Sequence, residues 1–439
     1  MNPRLVKPLF LLWTAALVGA GSMPGPVAAE AKKRTLSRTE DFIQFTGADV
    51  LALVGSEIKD LHLYAQRASG LQLISLQVDK RDAEGRYVFP NEKGRDPNRD
   101  GTKLDPNDEI VFLVKDAGDK TPGKPALSYL RGVEIELSDP QNLAKAWVYL
   151  LDQPGVETPA PKDYIHHRVE NNAEFILSDN YELGEPQGEA YYHWLRLRRP
   201  NGEWGENLFR TQQYGIKARL LNGAIPLHVP AQDIKSVLLG VIDGPVRVIR
   251  DELDMVKLKN FNFEWSTEYF LTYYPNGHLS PSNLNFPFTA NKVFLDISYY
   301  WALDFTPAIL GSIYRNPSNP QGILLDGKPD PELNTEDDNP YLIVSGPQGG
   351  MIDVLVLDER LNHKLIRTSY VTEKSSASSS KPSSQILAGL WMKNLKGMER
   401  GTYSFWYYHY YPYPFTDQKV TEILQMIEHP VQVTAHPLP

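Results

Sequence analysis

The sequence predicts an all-β protein of layered antiparallel sheets, a β-sandwich or supersandwich followed by a smaller C-terminal β-sandwich. Two observations support this fold class. Short runs in which apolar and polar residues alternate with period two dominate the chain, whereas segments with the 3.6-residue period of an amphipathic helix are scarce. Turns containing Gly or Pro separate these runs. With 41% hydrophobic residues among 439, the chain can bury large cores.

The predicted strands form two groups along the chain. The first group comprises 71–78, 109–114, 133–137, 147–151, 194–198, 216–220, 237–242, 246–250 and 261–274. A long connection rich in Pro, Asn and Asp follows at 315–340. The second group comprises 341–344, 352–357, 364–371, 386–392, 402–411 and 431–434, which are enough strands for a small sandwich. The predicted helix is 417–427.

The first 31 residues have the pattern of a secretory signal peptide. Arg4 and Lys7 form a basic start, 9–20 is an apolar run, and 29–31 is an A-x-A cleavage site. The apolar run is too short to span a membrane. We therefore expect an extracytoplasmic protein, either periplasmic or secreted.

The rest of the chain is expected to form two regions. Residues 32–312 form the predicted large β-sandwich or supersandwich region. Residues 313–439 form the predicted C-terminal β-sandwich, with a long loop leading into it.

The composition excludes several classes of function. The chain has no cysteine, which excludes a disulfide framework, thiolate zinc sites, iron–sulfur clusters and C-x-x-C-H haem attachment. The formal net charge is −9 and no basic residues cluster, so nucleic acid is not an expected partner. No stretch after the signal peptide has the length and apolarity of a membrane helix, and no transmembrane segment is expected.

The segment 242–250, with the sequence IDGPVRVIR, carries a strong hairpin signal. Gly244 is expected to supply a positive φ, and Pro245 to end the strand pairing. This segment resembles a hairpin of β-supersandwich proteins of the galactose-mutarotase-like class, which includes many sugar-active enzymes. The resemblance covers about ten of 439 residues. It implies a supersandwich fold and transfers no catalytic residue.

The acidic loop at 96–109 predicts a calcium site. Side-chain oxygens at positions i, i+2 and i+4, followed by Gly101 and further carboxylates, suit a hard cation that needs six to eight oxygen ligands. The loop is similar to the calcium loops of thrombospondin type 3 repeats and dockerins. The predicted ligands of a structural Ca²⁺ are Asp96, Asn98, Asp100, Asp105 and Asp108. The alternative is a solvated turn that leads into the strand at 109.

Two segments carry candidate ligand-binding residues. Alternation along 194–198 places Trp194, Arg196 and Arg198 on one face, where they could stack on a sugar ring and hold its carboxylate. The alternative is an exposed strand with Arg stacked on Trp. Tyr411 and Tyr413 lie where two prolines are expected to turn the chain out of the sheet, which makes them a candidate docking surface.

No catalytic signature is present, since H-E-x-x-H, G-x-S-x-G, P-loop and G-x-G-x-x-G patterns are all absent. The first functional hypothesis is a non-catalytic, calcium-stabilised protein that binds a glycan or an envelope protein. The second is a polysaccharide lyase or hydrolase on a supersandwich, with Tyr, His and Arg groups in a groove. The third is a structural component of an envelope assembly. The sequence leaves open whether the protein is an enzyme.

Overall fold

The structure is a computed structural model that describes residues 32–91, 101–258, 263–286, 288–328, 333–336, 340–362, 365–375 and 384–439. Within these residues, 27 strands form five antiparallel sheets, which confirms the all-β prediction. Strands are numbered in chain order. No helix in the described part of the chain is long and apolar enough to cross a membrane.

An N-terminal sandwich combines two of the sheets. The three-stranded sheet has the order β1 (Phe42–Thr46), β5 (Glu109–Leu113), β4 (Gln77–Asp79). The five-stranded sheet has the order β27 (Gln432–Pro437), β6 (Arg131–Ser138), β7 (Lys145–Asp152), β2 (Leu61–Arg67), β3 (Gly70–Ile74). Leu63, Phe112 and Leu150 are fully buried in their shared core.

A four-stranded sheet follows the N-terminal sandwich along the chain. Its order is β11 (Trp194–Leu197), β10 (Tyr181–Pro186), β9 (Ala173–Ser178), β8 (Ile165–Glu170). Leu195 and Leu197 point into the main core, because every second residue of a strand faces the same side.

Two large sheets form the main body and share one buried core, which contains Phe305, Leu390 and Phe405. The six-stranded sheet has the order β13 (Ile225–Pro230), β12 (Phe209–Leu220), β18 (Phe294–Phe305), β25 (Ser384–Lys393), β24 (Ile366–Ser375), β21 (Leu333–Glu336). The nine-stranded sheet has the order β14 (Ile234–Asp243), β15 (Val248–Leu258), β16 (Phe263–Tyr274), β17 (Gly277–Phe286), β26 (Gly401–Tyr410), β23 (Gly349–Leu357), β22 (Tyr341–Gly346), β19 (Ile313–Asn316), β20 (Asn319–Leu324).

The predicted boundary between 32–312 and 313–439 does not separate two sandwiches. Both large sheets combine strands from the two sides of residue 312. The β17–β26 and β18–β25 pairings join strands that are far apart in the sequence. The last strand, β27, pairs with β6 of the N-terminal sandwich. The predicted connection 315–340 also carries β20 and β21.

The helices are short. The predicted helix at 417–427 is confirmed as α2 (Asp417–Glu428), whose N-cap Thr416 accepts a hydrogen bond from the Lys419 amide. Its apolar face, including Ile423, packs on the nine-stranded sheet. The other α-helix among the described residues is α1 (Glu359–Asn362). The 3₁₀ turns are Gly47–Leu53, Ile58–Asp60, Val114–Asp116, Leu221–Gly223, Ala231–Asp233, Ala290–Lys292, Pro307–Ile309 and Leu395–Gly397.

The predicted hairpin at 242–250 is present as the β14–β15 turn, where Asp243 pairs with Val248. The expected positive φ of Gly244 is not observed. Glycine is needed there for another reason, because a Cβ would lie 2.3 Å from the Gln77 side chain. Gln77 Oε1 in turn accepts hydrogen bonds from the Val246 and Arg247 amides. The hairpin therefore joins the nine-stranded sheet to the N-terminal sandwich.

Candidate functional site

The nine-stranded sheet forks between β16 and β17. These strands pair only next to their turn, from Thr272↔Leu279 to Tyr274↔Gly277. Beyond this point β16 stays with β15, while β17 stays with β26. Pro281 lies on β17 beyond the last pair with β16, although it is still in register with Trp406 of β26. Proline lacks an amide hydrogen and is found on strands that have an unpaired edge, as β17 has here toward β16.

A cavity of about 460 Å³ lies at this fork, between the two large sheets. We call it the fork cavity. Its wall is mainly aliphatic and aromatic, and its aromatic members include Tyr192, Tyr214, Tyr269, Tyr299, Trp301 and Tyr407. Phe288, which also belongs to the wall, is 37% exposed, so the cavity reaches the surface near the end of β17. The volume is typical of sites for small molecules.

One side of the fork cavity is acidic. Arg250, Glu252 and Asp254 alternate along β15 and therefore share a face of the strand. Arg250 Nη2 lies 3.0 Å from Glu174, 2.5 Å from Glu185 and 3.0 Å from Glu252. All five side chains are buried. Three carboxyl groups thus share one guanidinium, and Glu185, Glu252 and Asp254 line the cavity.

Burial weakens the acidity of this wall. It raises the pKa of Glu185 to about 8, although Arg250 acts in the opposite direction. Burial also raises the pKa of Asp254 to about 7, against the effect of a hydrogen bond of 2.5 Å from the Tyr269 hydroxyl to Asp254 Oδ2. Ser236 and Tyr214 also lie near this carboxyl group and lower its pKa, but their hydroxyls donate to Glu252 Oε2 at 3.0 Å and to the Ala190 carbonyl at 2.7 Å. No hydrogen bond of regular geometry from the described residues reaches Asp254 Oδ1.

A buried polar network lies behind the cavity. The Tyr192 and Tyr273 hydroxyls are 2.7 Å apart, and Arg250 Nη1 donates to Tyr273 at 3.3 Å. The His278 ring stacks on Tyr273 and on His409, with centroid distances of 5.4 and 4.3 Å. Burial lowers the pKa of His278 well below its ordinary value, which keeps this imidazole neutral.

The strand with the predicted ligand-binding residues lies elsewhere, at the edge of the four-stranded sheet. Arg198 and Arg196 flank the ring of Trp204, at 4.0 and 5.8 Å from its centroid. Trp194 is 43% exposed and packs instead edge-on against Phe175. The arrangement contains the Arg–Trp stacking of the alternative interpretation, with Trp204 as the ring.

An open groove of about 720 Å³ adjoins this strand. Arg196, Arg199 and Trp204 are among its lining residues, so we call it the arginine groove. Arg196 Nε already donates to the Gly205 carbonyl at 3.0 Å. Arg199 Nε donates to the Gln348 side chain at 2.9 Å.

Tyr411 does not lie on an exposed tip. Its side chain is only 3% exposed, and its ring packs 4.8 Å from Tyr181 and 5.9 Å from His278. The chain stays against the sheet here, because the Tyr411 amide donates to the Asn276 carbonyl at 2.7 Å. Tyr413 is half-buried.

Of the predicted calcium ligands, Asp96, Asn98 and Asp100 lie outside the described residues. Asp105 and Asp108 are described, and both contact Lys80 Nζ, at 2.7 and 2.9 Å. Within the described part of the chain, no group of three or more His, Cys, Asp or Glu side chains is arranged to hold a metal ion. Calcium binding by this loop stays a prediction.

Comparison with known proteins gives no family. No family model and no curated relative matches the chain. One similar solved structure is an alpha-mannosidase from Enterococcus faecalis V583, with a TM-score of 0.34 and 9% identity. The similarity covers 94% of this chain but 45% of that protein. At these values it indicates neither family membership nor activity. The fold and the site define a multi-sheet β-protein with an internal, partly acidic cavity.

Proposed function

We propose that the protein binds a small, mainly apolar molecule in the fork cavity. The observation that carries this proposal is the combination of a cavity of about 460 Å³ with a mainly apolar and aromatic wall whose carboxyl groups stand on one side. Apolar walls supply affinity through buried area, and a few placed polar groups orient the ligand.

The fork explains why such a cavity exists in a sandwich core. Paired strands would bring β16 and β17 to within about 4.8 Å of each other and leave no room for a ligand. Their separation instead exposes inward-facing side chains of both strands, such as Tyr269 and Leu284, to the cavity. Phe288 at the surface provides an apolar entrance.

The test is binding of N-phenyl-1-naphthylamine, a neutral probe that fluoresces in apolar surroundings. We expect saturable binding to the purified protein, and an at least tenfold loss of affinity in Leu227→Trp and in Leu284→Trp, which fill the cavity from opposite sheets. Leu130→Trp, at a site 70% exposed, is the control and should bind like the original protein. Unchanged affinity in both cavity variants, with melting temperatures retained, would refute the proposal.

A second candidate function is glycan binding in the arginine groove, favoured by the guanidinium groups of Arg196 and Arg199 beside Trp204. Under this hypothesis acidic polysaccharides raise the melting temperature more than neutral ones, and Arg199→Ala removes that difference. The same incubations, checked for new reducing ends and unsaturated products, test the lyase or hydrolase alternative. An envelope protein as partner, and an extracytoplasmic location, remain proposals from the sequence.

Calcium stabilisation is also a proposal. If the loop binds Ca²⁺, the ion raises the melting temperature of the protein, and the double variant Asp96→Ala with Asp100→Ala loses this rise. An equal calcium response in the double variant would exclude these residues as ligands.

A further inference from the structure

We propose that the ligand of the fork cavity carries an organic cation, such as a substituted ammonium group, that binds beside Asp254 within a group of tyrosines. This inference rests on the function proposed above and specifies the ligand's chemical class. It is argued from charge, from the unpaired carboxylate oxygen and from the aromatic wall.

Asp254 lacks a positively charged partner in the cavity wall. The Arg250 guanidinium is engaged with Glu174, Glu185 and Glu252. Asp254 forms no ion pair with any residue that the structure describes. A cation in the cavity would supply the missing positive charge in surroundings where water screens it weakly.

Asp254 also has an oxygen that is free to contact a ligand. The residue is 5% exposed and lines the cavity, and its Oδ2 accepts the Tyr269 hydroxyl. No regular hydrogen bond from the described residues reaches Oδ1. Leaving a buried carboxylate oxygen without a donor or a counter-charge costs free energy, and a bound cation removes that cost.

Three tyrosines surround this carboxyl group. Tyr269 donates to it, and burial together with the charge of Asp254 raises the pKa of Tyr214 and of Tyr299. All three side chains line the cavity. Aromatic faces attract cations, and cages of aromatic rings are a known means of binding substituted ammonium groups.

The wall is unsuited to a hydrated metal ion. Hard cations such as Ca²⁺ require six to eight oxygen ligands. The fork cavity offers mainly carbon atoms around its carboxyl groups, which instead suits a cation that carries its own apolar substituents.

The experiment compares benzyltrimethylammonium with neopentylbenzene, its neutral isostere, as competitors of N-phenyl-1-naphthylamine at pH 8. We expect the cation to bind at least tenfold more tightly than the isostere. In Asp254→Asn the cation should lose at least tenfold in affinity while the isostere is unaffected. The control is Asp296→Asn, which removes one exposed carboxylate on β18 that pairs with Arg219.

The outcomes separate the two proposals. If neither compound nor the naphthylamine probe binds, the proposed function fails and this inference fails with it. If both compounds bind equally well, the cavity binds ligands but the cation inference is wrong. A preference for the cation that survives in Asp254→Asn also overturns the inference, because the charge would then be recognised elsewhere.

The pH dependence of the original protein gives a test that needs no variant. Asp254 accepts a proton as pH falls through about 7, and Glu185 in the same wall does so through about 8, so the cavity loses the negative charge that the cation needs. Affinity for the cation should therefore fall from pH 8 to pH 5.5, while affinity for the isostere stays constant. A pH-independent preference would count against the inference. The ionisable groups that act on Asp254 are Glu252, Tyr214, Tyr269 and Tyr299, and Glu185 lines the same cavity.

Discussion

Arg247 is expected to be the strongest single link between the N-terminal sandwich and the nine-stranded sheet. Its side chain is 1% exposed and lies 2.7 Å from Asp79 and 2.5 Å from Glu109, on β4 and β5. Replacing it with Met keeps much of the volume but leaves two carboxyl groups buried without this partner. Removing one partner of a buried ion pair costs about 3–5 kcal/mol.

Both carboxyl groups keep other contacts in Arg247→Met, so we expect its loss of stability to lie near the lower end of the range of about 3–5 kcal/mol. Glu109 keeps an ion pair with Arg81 and a hydrogen bond of 2.8 Å from Tyr87. Asp79 keeps only the Gln77 amide, at 2.9 Å, among the hydrogen bonds formed by the described residues. We therefore expect a loss of about 3 kcal/mol in the free energy of unfolding.

Urea unfolding at pH 7, followed by tryptophan fluorescence, measures this loss. Lys162→Met is the control, because Lys162 pairs with Asp179 at the surface and its removal should cost less than about 1 kcal/mol. Adding Asp79→Asn to Arg247→Met should recover part of the stability, since the buried charge is gone. A loss below about 1 kcal/mol in Arg247→Met would refute the reasoning.

The same comparison has an expected pH dependence. Burial raises the pKa of Glu109, but Arg247 and Arg81 outweigh burial and lower it below its ordinary value of 4.5. Such a group stabilises the folded protein above pH 4.5, and this contribution is lost as pH falls through the lowered pKa. The difference between Arg247→Met and the original protein should therefore narrow below about pH 4.5. A constant difference would exclude Glu109 as its source.

Three further substitutions have defined outcomes in the same unfolding assay. Thr416→Ala removes the N-cap of α2 and should cost about 1 kcal/mol, whereas no loss would show that the cap is dispensable. Asp353→Ala leaves the buried His409 Nδ1, now 2.6 Å from Asp353 Oδ1, without its partner and should cost about 1–3 kcal/mol. Burial raises the pKa of Glu185 from 4.5 to about 8, so its contribution to the free energy of unfolding is complete below pH 4.5 and is lost as pH rises through about 8. Glu185→Gln should therefore make the free energy of unfolding less dependent on pH in this range. An unchanged pH profile would contradict the raised pKa.

Local patterns in the sequence predict the elements but not their assembly. Period-two alternation indicates the strands, and Val420, Ile423 and Met426 at helical spacing indicate α2. The division at residue 312 fails because strand pairing over long sequence distances leaves no trace in local periodicity. The β17–β26 pairing joins strands more than 110 residues apart, and neither strand indicates its partner.

The acidic wall had one visible sign in the sequence, namely the alternation of Arg250, Glu252 and Asp254 within a strand. Such a pattern usually means a solvated face, because charged residues are rarely buried unless paired. The partners Glu174 and Glu185 come from the four-stranded sheet, so only the assembled structure shows that this face is buried. In contrast, the candidate residues Trp194, Arg196 and Arg198 lie on a strand at the edge of the four-stranded sheet, away from the fork cavity.

The carboxyl group of Asp254 is expected to oppose stability and to support binding. Its pKa of about 7 means that the folded protein resists ionising it, since the ordinary value is 3.8. Each unit of such a shift corresponds to about 1.4 kcal/mol, so the charged side chain costs the fold about 4 kcal/mol at pH 8. Asp254→Asn removes this charge and keeps an acceptor for Tyr269. The variant should therefore unfold at higher urea concentration than the original protein at pH 8. This gain should shrink as pH falls through about 7 and disappear only below pH 3.8, while benzyltrimethylammonium loses at least tenfold in affinity at pH 8. A substitution that stabilises the fold and weakens binding identifies a group that folding alone does not require.

If Asp254→Asn instead destabilises the protein at pH 8, the carboxylate is part of the core's own hydrogen bonding, and the argument for a cationic ligand loses its main support.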